Sequence, residues 1–201
     1  MTAAKFWNGV AEKYAKSAIR DPKQYHLSLE RTRSYLRDTD RVLELGCGTG
    51  STALLLAPNV ALYTGSDLSS KMMEIAREKL ASGEHPNVEF MVAEADSTAV
   101  GGSYDAVMAF NLLHLVDDLP RTLRHAHQTL RDGGLFISKT PCLGTKKWLF
   151  RPLIGAMKLV GKAPDVLLFT PTELEQAVTD AGFEIIETGD YASRYVVARK
   201  I

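Results

Sequence analysis

The chain has 201 residues, a mass of 22.1 kDa and a formal net charge of zero, with 45% hydrophobic and 24% charged residues. That length supports one α/β domain with a substantial core and excludes two of full size. A balanced charge gives no reason to expect a nucleic-acid partner, two cysteines (Cys47 and Cys142) argue for a reducing compartment without a disulfide framework, and the lack of a long apolar run argues for a cytoplasmic protein with no membrane span.

Residues 1–38 read as an amino-terminal helical cap, with a short helix over 5–15 and a second opening at Asp21-Pro22, aspartate as N-cap and proline at the first helical position. Tyr25, Leu29, Thr32 and Leu36 then recur at helical spacing, which predicts one docked face. From residue 41 to 140 strands and helices alternate. Strands are expected at 41–46, 61–66, 88–93, 104–110 and 134–140, and helices at 51–57, 70–82 and 118–131. Runs such as Tyr104-Asp105-Ala106-Val107-Met108-Ala109-Phe110 fit parallel strands buried on both faces by helices. The pattern changes near the end. Thr170-Pro171-Thr172-Glu173 forms a capping box, and its helix should stop at Gly182. Two strands follow at 183–187 and 195–199, joined by too short a connection for a parallel crossover, so residues 170–201 should end in an antiparallel hairpin.

The most informative stretch is Val42-Leu43-Glu44-Leu45-Gly46-Cys47-Gly48-Thr49-Gly50-Ser51. It predicts a buried strand that runs into a glycine-rich turn and then a helix. Such a turn lets backbone approach a bound molecule closely, and the helix start offers unpaired N–H groups. In an open parallel sheet the ligand lies at the carboxyl ends of the strands. The first end gives Glu44 and the glycine loop; the second gives Asp67, placed to take both hydroxyls of a ribose. The third gives Ala95-Asp96-Ser97, where an acceptor suits an exocyclic amine, and the fourth gives Asn111-Leu112-Leu113-His114. A nicotinamide dinucleotide fits less well, because its fingerprint places the third glycine where this chain has Ser51.

Together Val42–Gly50, Gly65-Ser66-Asp67-Leu68-Ser69, Glu94-Ala95-Asp96 and Asn111-Leu112-Leu113-His114 resemble the motifs of class I S-adenosylmethionine-dependent methyltransferases, in particular the small bacterial type similar to ubiquinone and menaquinone methyltransferases. The resemblance implies a Rossmann-like α/β fold: a seven-stranded, mostly parallel sheet with helices on both faces and the last strand antiparallel. It implies S-adenosylmethionine as cofactor. Gly46, Cys47 and Gly48 would contact the methionine moiety, with Glu44 supporting that loop. Asp67 would bind the ribose, Leu68 and Met72 would flank adenine, and Asp96, with Ala95 and Ser97 beside it, would accept from the adenine amine. Asn111 and Leu112 would lie beside the sulfonium, and Tyr14 resembles an amino-terminal tyrosine that closes over the cofactor. Many relatives carry two consecutive histidines after the fourth strand; here His114 is followed by Leu115.

Several of these residues also have plainer readings. Glu44 could be a strand-end carboxylate with partners, Cys47 a small residue in a tight loop, Asp96 a turn residue and Tyr14 a core aromatic. His114 is the candidate general base near the methyl group, against a histidine tucked into a helix entrance. His26, His85, His125 and His127 lack metal-ligand spacing, so no metal is expected.

Residues 141–169 read as a lid insertion. It is rich in apolar residues, among them Trp148 and Phe150, and carries a net charge of plus four from Lys146, Lys147, Arg151, Lys158 and Lys162 against Asp165. Lys147, Arg151, Lys158 and Lys162 share one helical stripe, roughly opposite Leu149, Leu153, Met157 and Val160. Pro152 and Gly161 argue against one continuous helix and for a start near Pro152. The plain reading is a lid whose apolar face covers the site while its lysines are solvated. The sharper one is a surface for a lipophilic or anionic substrate, with transient membrane-interface contact through 146–162. With Tyr14, His114, Trp148 and Phe150 as candidate substrate contacts, the expected function is methyl transfer to a small, lipophilic or aromatic acceptor. The alternatives are a non-catalytic cofactor- or partner-binding module, and a protein or RNA methyltransferase.

Overall fold

A computed structural model describes residues 2–159 and 163–201. Val160, Gly161 and Lys162, which end the amphipathic stretch read above, lie outside the described residues. So do the side chains of Lys146, Leu153, Ala156, Lys158 and Leu159.

The amino-terminal helices form because their caps are present. Helix α1 (Ala3–Lys16) starts where the Thr2 side chain accepts from the Lys5 N–H. Helix α2 (Pro22–Arg33) starts where the Asp21 carboxylate accepts from the Gln24 N–H at 3.1 Å, with Pro22 first in the helix. Its docked face is the expected one: Leu29 and Thr32 are buried, and the Tyr25 hydroxyl lies 3.0 Å from Thr52 Oγ1.

The central body alternates as the sequence indicates. Strand β1 (Arg41–Leu45) leads to α3 (Ser51–Leu56) and a 3₁₀ turn, and β2 (Leu62–Asp67) leads to α4 (Ser70–Ala81). Then come β3 (Val88–Val92), β4 (Tyr104–Phe110), α5 (Leu119–Thr129) and β5 (Leu130–Thr140). These five strands pair in parallel. After a 3₁₀ turn, helices α6 (Lys147–Leu159) and α7 (Pro171–Asp180) lead to β6 (Phe183–Asp190) and β7 (Arg194–Lys200). The sheet order is β3-β2-β1-β4-β5-β7-β6, with β7 antiparallel to both of its neighbours. This is the expected seven-stranded, mostly parallel sheet ending in an antiparallel hairpin.

Alternation along the strands builds one core on each face. Val42, Met108, Ile137 and Val197 pack on one side, and Leu43, Val107, Phe136 and Val196 on the other. Strand order reverses between β1 and β4, and a cleft opens at the carboxyl ends of strands at such a switch point.

Three boundaries differ from expectation, one being β6, which runs to Asp190 instead of ending at 187. The helix expected over 118–131 ends at Thr129, because Leu130 already has extended backbone and pairs with Tyr104. The pairing then slips before Ala106 meets Leu135, and Gly133, at φ +72°, supplies the irregular turn. Helix α6 begins at Lys147 instead of near Pro152, so the proline sits inside it. The preceding 3₁₀ turn, Gly144–Lys146, nucleates the helix upstream. Gly144 fixes that turn by donating to the Phe169 carbonyl at 2.8 Å.

Candidate functional site

A cavity of about 600 Å³ lies at the carboxyl ends of the strands, within the range of roughly 300–1,000 Å³ usual for small-molecule sites. Its floor is the loop after β1. Gly46 has φ +67°, a left-handed backbone that favours glycine, and a Cβ there would sit 2.7 Å from Leu112 Cδ1 and so displace that leucine. Gly48, at φ +55°, turns its N–H onto Asp67 Oδ2 at 3.0 Å, while Ser69 N–H holds Oδ1 at 2.9 Å. Each carboxylate oxygen keeps a second lone pair for a ligand hydroxyl. Burial raises the Asp67 pKa, and the two backbone donors offset part of that shift.

Beneath the loop lies Glu44, 2% exposed and fixed by the Tyr63 hydroxyl, which donates to Oε2 at 2.8 Å. Burial pushes its pKa up to about 7; the Tyr63 hydrogen bond opposes the shift and the Asp67 charge adds to it. Cys47 is 7% exposed, and burial followed by the Glu44 and Asp67 charges lifts its thiol well above the usual range. That direction is opposite to an activated thiolate and matches a small residue packed in a tight loop. Glu44 and Cys47 support the floor from below and do not line the cavity.

The rest of the wall comes from six further segments. Leu68 and Met72 follow β2, and Ala95 and Asp96 follow β3. Asn111, with φ +54°, donates its N–H to the Lys139 carbonyl at 2.7 Å and presents Leu112. A non-glycine residue in that region stores strain of the kind found at ligand sites. Thr2, Trp7 and Tyr14 close the cavity from α1. Helix α1 is latched by Asn8 Oδ1, which accepts from Ser69 Oγ at 2.7 Å and from Lys71 N–H at 3.1 Å. Burial, then the Glu44 and Asp67 charges, raise the Tyr14 phenol pKa. The strap Ala163-Pro164-Asp165 and the first turn of α5 complete the enclosure.

Ten of the sequence-derived positions thus meet at one cavity: Tyr14, Gly46, Gly48, Asp67, Leu68, Met72, Ala95, Asp96, Asn111 and Leu112. Ser97 does not join them; its hydroxyl accepts from Ala99 N–H within its own turn. His114 lies off the wall, its carbonyl accepts from the Leu167 N–H at 2.7 Å, and burial lowers its imidazole to about 4. Its Nδ1 is buried with no hydrogen-bond partner among the described residues. Trp148 and Phe150 are off the wall too. Trp148 is 78% exposed, and Leu149 and Met157 also face solvent, so these apolar side chains of α6 do not cover the site.

Sequence reasoning missed Arg121. It lines the cavity, and its Nε lies 2.7 Å from Asp96 Oδ2. The signal was present in Asp118-Leu119-Pro120, an N-cap followed by proline that puts Arg121 in the first turn of α5, facing the strand ends. Asp117, Asp118 and Asp165 also line the cavity. With Asp67, Glu94 and Asp96 they set six carboxylates against the Arg121 guanidinium, a wall complementary to a ligand with net positive charge. Among the described residues no group of His, Cys, Asp and Glu is placed to hold a metal ion.

A glycine floor at the switch point, carboxylates after β2 and β3 lining one cavity, and the antiparallel β7 set between β5 and β6 define the class: a Rossmann-like domain of the methyltransferase type. Comparison with known proteins reaches the same place. A methyltransferase-domain family model matches residues 14–188, and the chain belongs to that family, whose methyl donor is S-adenosylmethionine. It is 33% identical over 153 residues to a ubiquinone biosynthesis O-methyltransferase of Aromatoleum aromaticum, covering 73% of this chain and 65% of that protein. It is 30% identical over 164 residues to a magnesium-protoporphyrin O-methyltransferase of Synechocystis, covering 79% and 69%. The chain thus spans about two thirds of the length of these relatives. Among solved structures, a putative methyltransferase of Bacillus halodurans superposes with a TM-score of 0.75 at 15% identity, over 90% of this chain and 99% of that one, a likeness of fold.

Proposed function

We propose that this protein transfers the methyl group of S-adenosylmethionine to a small lipophilic or aromatic acceptor. The observation that carries the reading is the convergence of Gly46, Gly48, Asp67, Asp96 and Leu112 on one cavity. In this reading the glycine loop holds the methionine portion, Asp67 takes the ribose hydroxyls, Leu68 and Met72 pack on adenine, and Asp96 accepts from its amine. The cavity fits the cofactor on two counts. A Cβ at Gly46 would displace Leu112 from the cradle, and the acid-rich wall matches a net cation. When bound, the cofactor supplies an electrophilic methyl on a sulfonium.

The chain's own residues position the partners and exclude water. Trp7 and Tyr14 close one side and the 163–165 strap the other, and such alignment is worth on the order of 7–11 kcal/mol for well-oriented reactants. Phe110, Leu115, Val116 and Pro164 give the cavity an apolar portion beyond the cofactor residues, which favours a lipophilic acceptor. The relatives' names, ubiquinone biosynthesis and magnesium protoporphyrin, agree with a small-molecule acceptor. With a pKa of about 4, His114 is neutral at physiological pH and a weak proton acceptor. A neutral amine would need no base, whereas a hydroxyl acceptor would need one from a group other than His114. A metabolite extract incubated with protein and donor labelled in the methyl group tests the reading. Label is expected in the lipophilic fraction; label confined to polar products would count against it.

A further inference from the structure

We propose that helix α6 is a docking surface for an anionic lipid bilayer, lying in the interface plane beside the cavity mouth. A surface helix ordinarily turns its apolar stripe inward. Helix α6 turns Trp148, Leu149 and Met157 outward, with exposures of 78%, 45% and 37%, while Lys147, Phe150 and Ile154 lie half-buried on the inner side. Leu149 and Met157 fall about 80° apart on the helix and so share its outward side, with Trp148 at the edge, and apolar side chains gathered on one exposed face mark an interaction surface. At thirteen residues the helix is about 20 Å long, too short for a hydrocarbon core of about 30 Å. It can lie on a bilayer but cannot cross one.

Charge selects the partner. Residues 146–162 contain five lysines and arginines and no acid, in a chain of zero net charge, so the rest of the molecule carries five net negative charges. An anionic surface attracts this segment and repels the remaining body, which orients the protein with α6 toward the lipid. Trp148 and Arg151, exposed one turn apart, suit the headgroup boundary, where the indole is half solvated and a cation meets phosphates. Position adds a third argument. The chain leaving this segment lines the cavity at Ala163-Pro164-Asp165 and is pinned by Leu167 N–H to the His114 carbonyl. Ala163 follows the last residue of α6 by four positions, so a bilayer seated on α6 would lie within about 15 Å of the strap by chain length alone. The docking claim goes beyond methyl transfer and does not depend on which acceptor is used.

The test is flotation of the full chain with unilamellar vesicles of phosphatidylcholine alone or with one third phosphatidylglycerol. Partition is expected to be at least about tenfold stronger on the anionic vesicles, given about 1 kcal/mol for each cation near the surface, and to weaken in high salt. Trp148→Ala should lose most of that binding, and the double variant Arg151→Glu/Lys158→Glu should abolish the preference for phosphatidylglycerol. Circular dichroism and S-adenosylmethionine affinity should stay unchanged in both, which separates failed docking from failed folding or a failed cofactor reading. Absence of binding, or equal binding to neutral vesicles, would overturn the proposal. So would a dimer in sedimentation that Trp148→Ala dissolves without any vesicle binding, since the face would then belong to a second copy.

Discussion

Replacing Glu44 by glutamine should make the protein more stable above neutral pH and leave it nearly unchanged in acid. Glu44 is buried, and its pKa rises from 4.5 to about 7 on folding. Desolvation is the main cause, the neighbouring Asp67 charge adds to it, and the Tyr63 hydrogen bond works the other way. A raised folded-state pKa means the native state holds the proton more tightly than the unfolded chain. The stabilisation is complete below pH 4.5 and is lost as pH rises through about 7. The shift of about 2.5 units corresponds to about 3 kcal/mol, a large share of a typical net stability of about 5–15 kcal/mol. Glutamine is neutral throughout, and its amide oxygen can still accept from Tyr63. Urea unfolding of wild type and Glu44→Gln at half-unit steps from pH 5 to 8.5, without cofactor, isolates the effect because groups not coupled to Glu44 cancel in the difference. The stability difference should be about 0.8 kcal/mol at pH 5 and grow to about 3 kcal/mol in favour of glutamine by pH 8, the latter roughly 6–12 °C in Tm. A difference that stays flat across this range would refute the buried, proton-holding carboxyl.

Two further substitutions probe the cavity wall. Gly46→Ala puts a Cβ against Leu112 in a left-handed backbone, which should cost about 1–2 kcal/mol of stability. It should also weaken cofactor binding on the order of tenfold, the equivalent of about 1.4 kcal/mol; thermal denaturation and calorimetry read both, and no change in either would contradict the cradle. Asp96→Ala removes the carboxylate proposed to accept from the adenine amine and should lower cofactor affinity roughly five- to tenfold. Stability should move by less than about 0.5 kcal/mol, because its partner Arg121 is 63% exposed. A loss of stability without loss of affinity would make Asp96 a structural residue instead.

Signals that were local and chemically explicit carried over from sequence to structure. The caps at Asp21 and Thr170 and the glycine turn each dictate backbone through one or two residues, and the short connection between the last two strands dictates a hairpin; each element formed, with β6 running on to Asp190. Strand-end positions such as Asp67 and Asp96 were legible because parallel topology collects carboxyl ends at one place. What was hidden depends on tertiary contacts. Whether Asp96 meets Arg121, and whether His114 faces the cavity or the protein interior, is settled by how α5 and the 163–169 strap pack. Pro152 misled because a proline usually marks a helix start; here the Gly144 contact with Phe169 nucleates the helix earlier. The outward face of α6 was invisible for a related reason, since a helical stripe gives the division between faces but not which one meets the body.

The most direct test of the central claim is calorimetric binding of S-adenosylmethionine and S-adenosylhomocysteine to wild type and to Asp67→Ala. Asp67 is the carboxylate that Gly48 and Ser69 hold at the cavity, and charged hydrogen bonds of this kind are worth about 1.5–3 kcal/mol. Both ligands should bind wild type at one site per chain, and Asp67→Ala should weaken each roughly ten- to a hundredfold. Failure of wild type to bind either ligand, or equal affinity in the variant, would contradict the assignment of this cavity to S-adenosylmethionine.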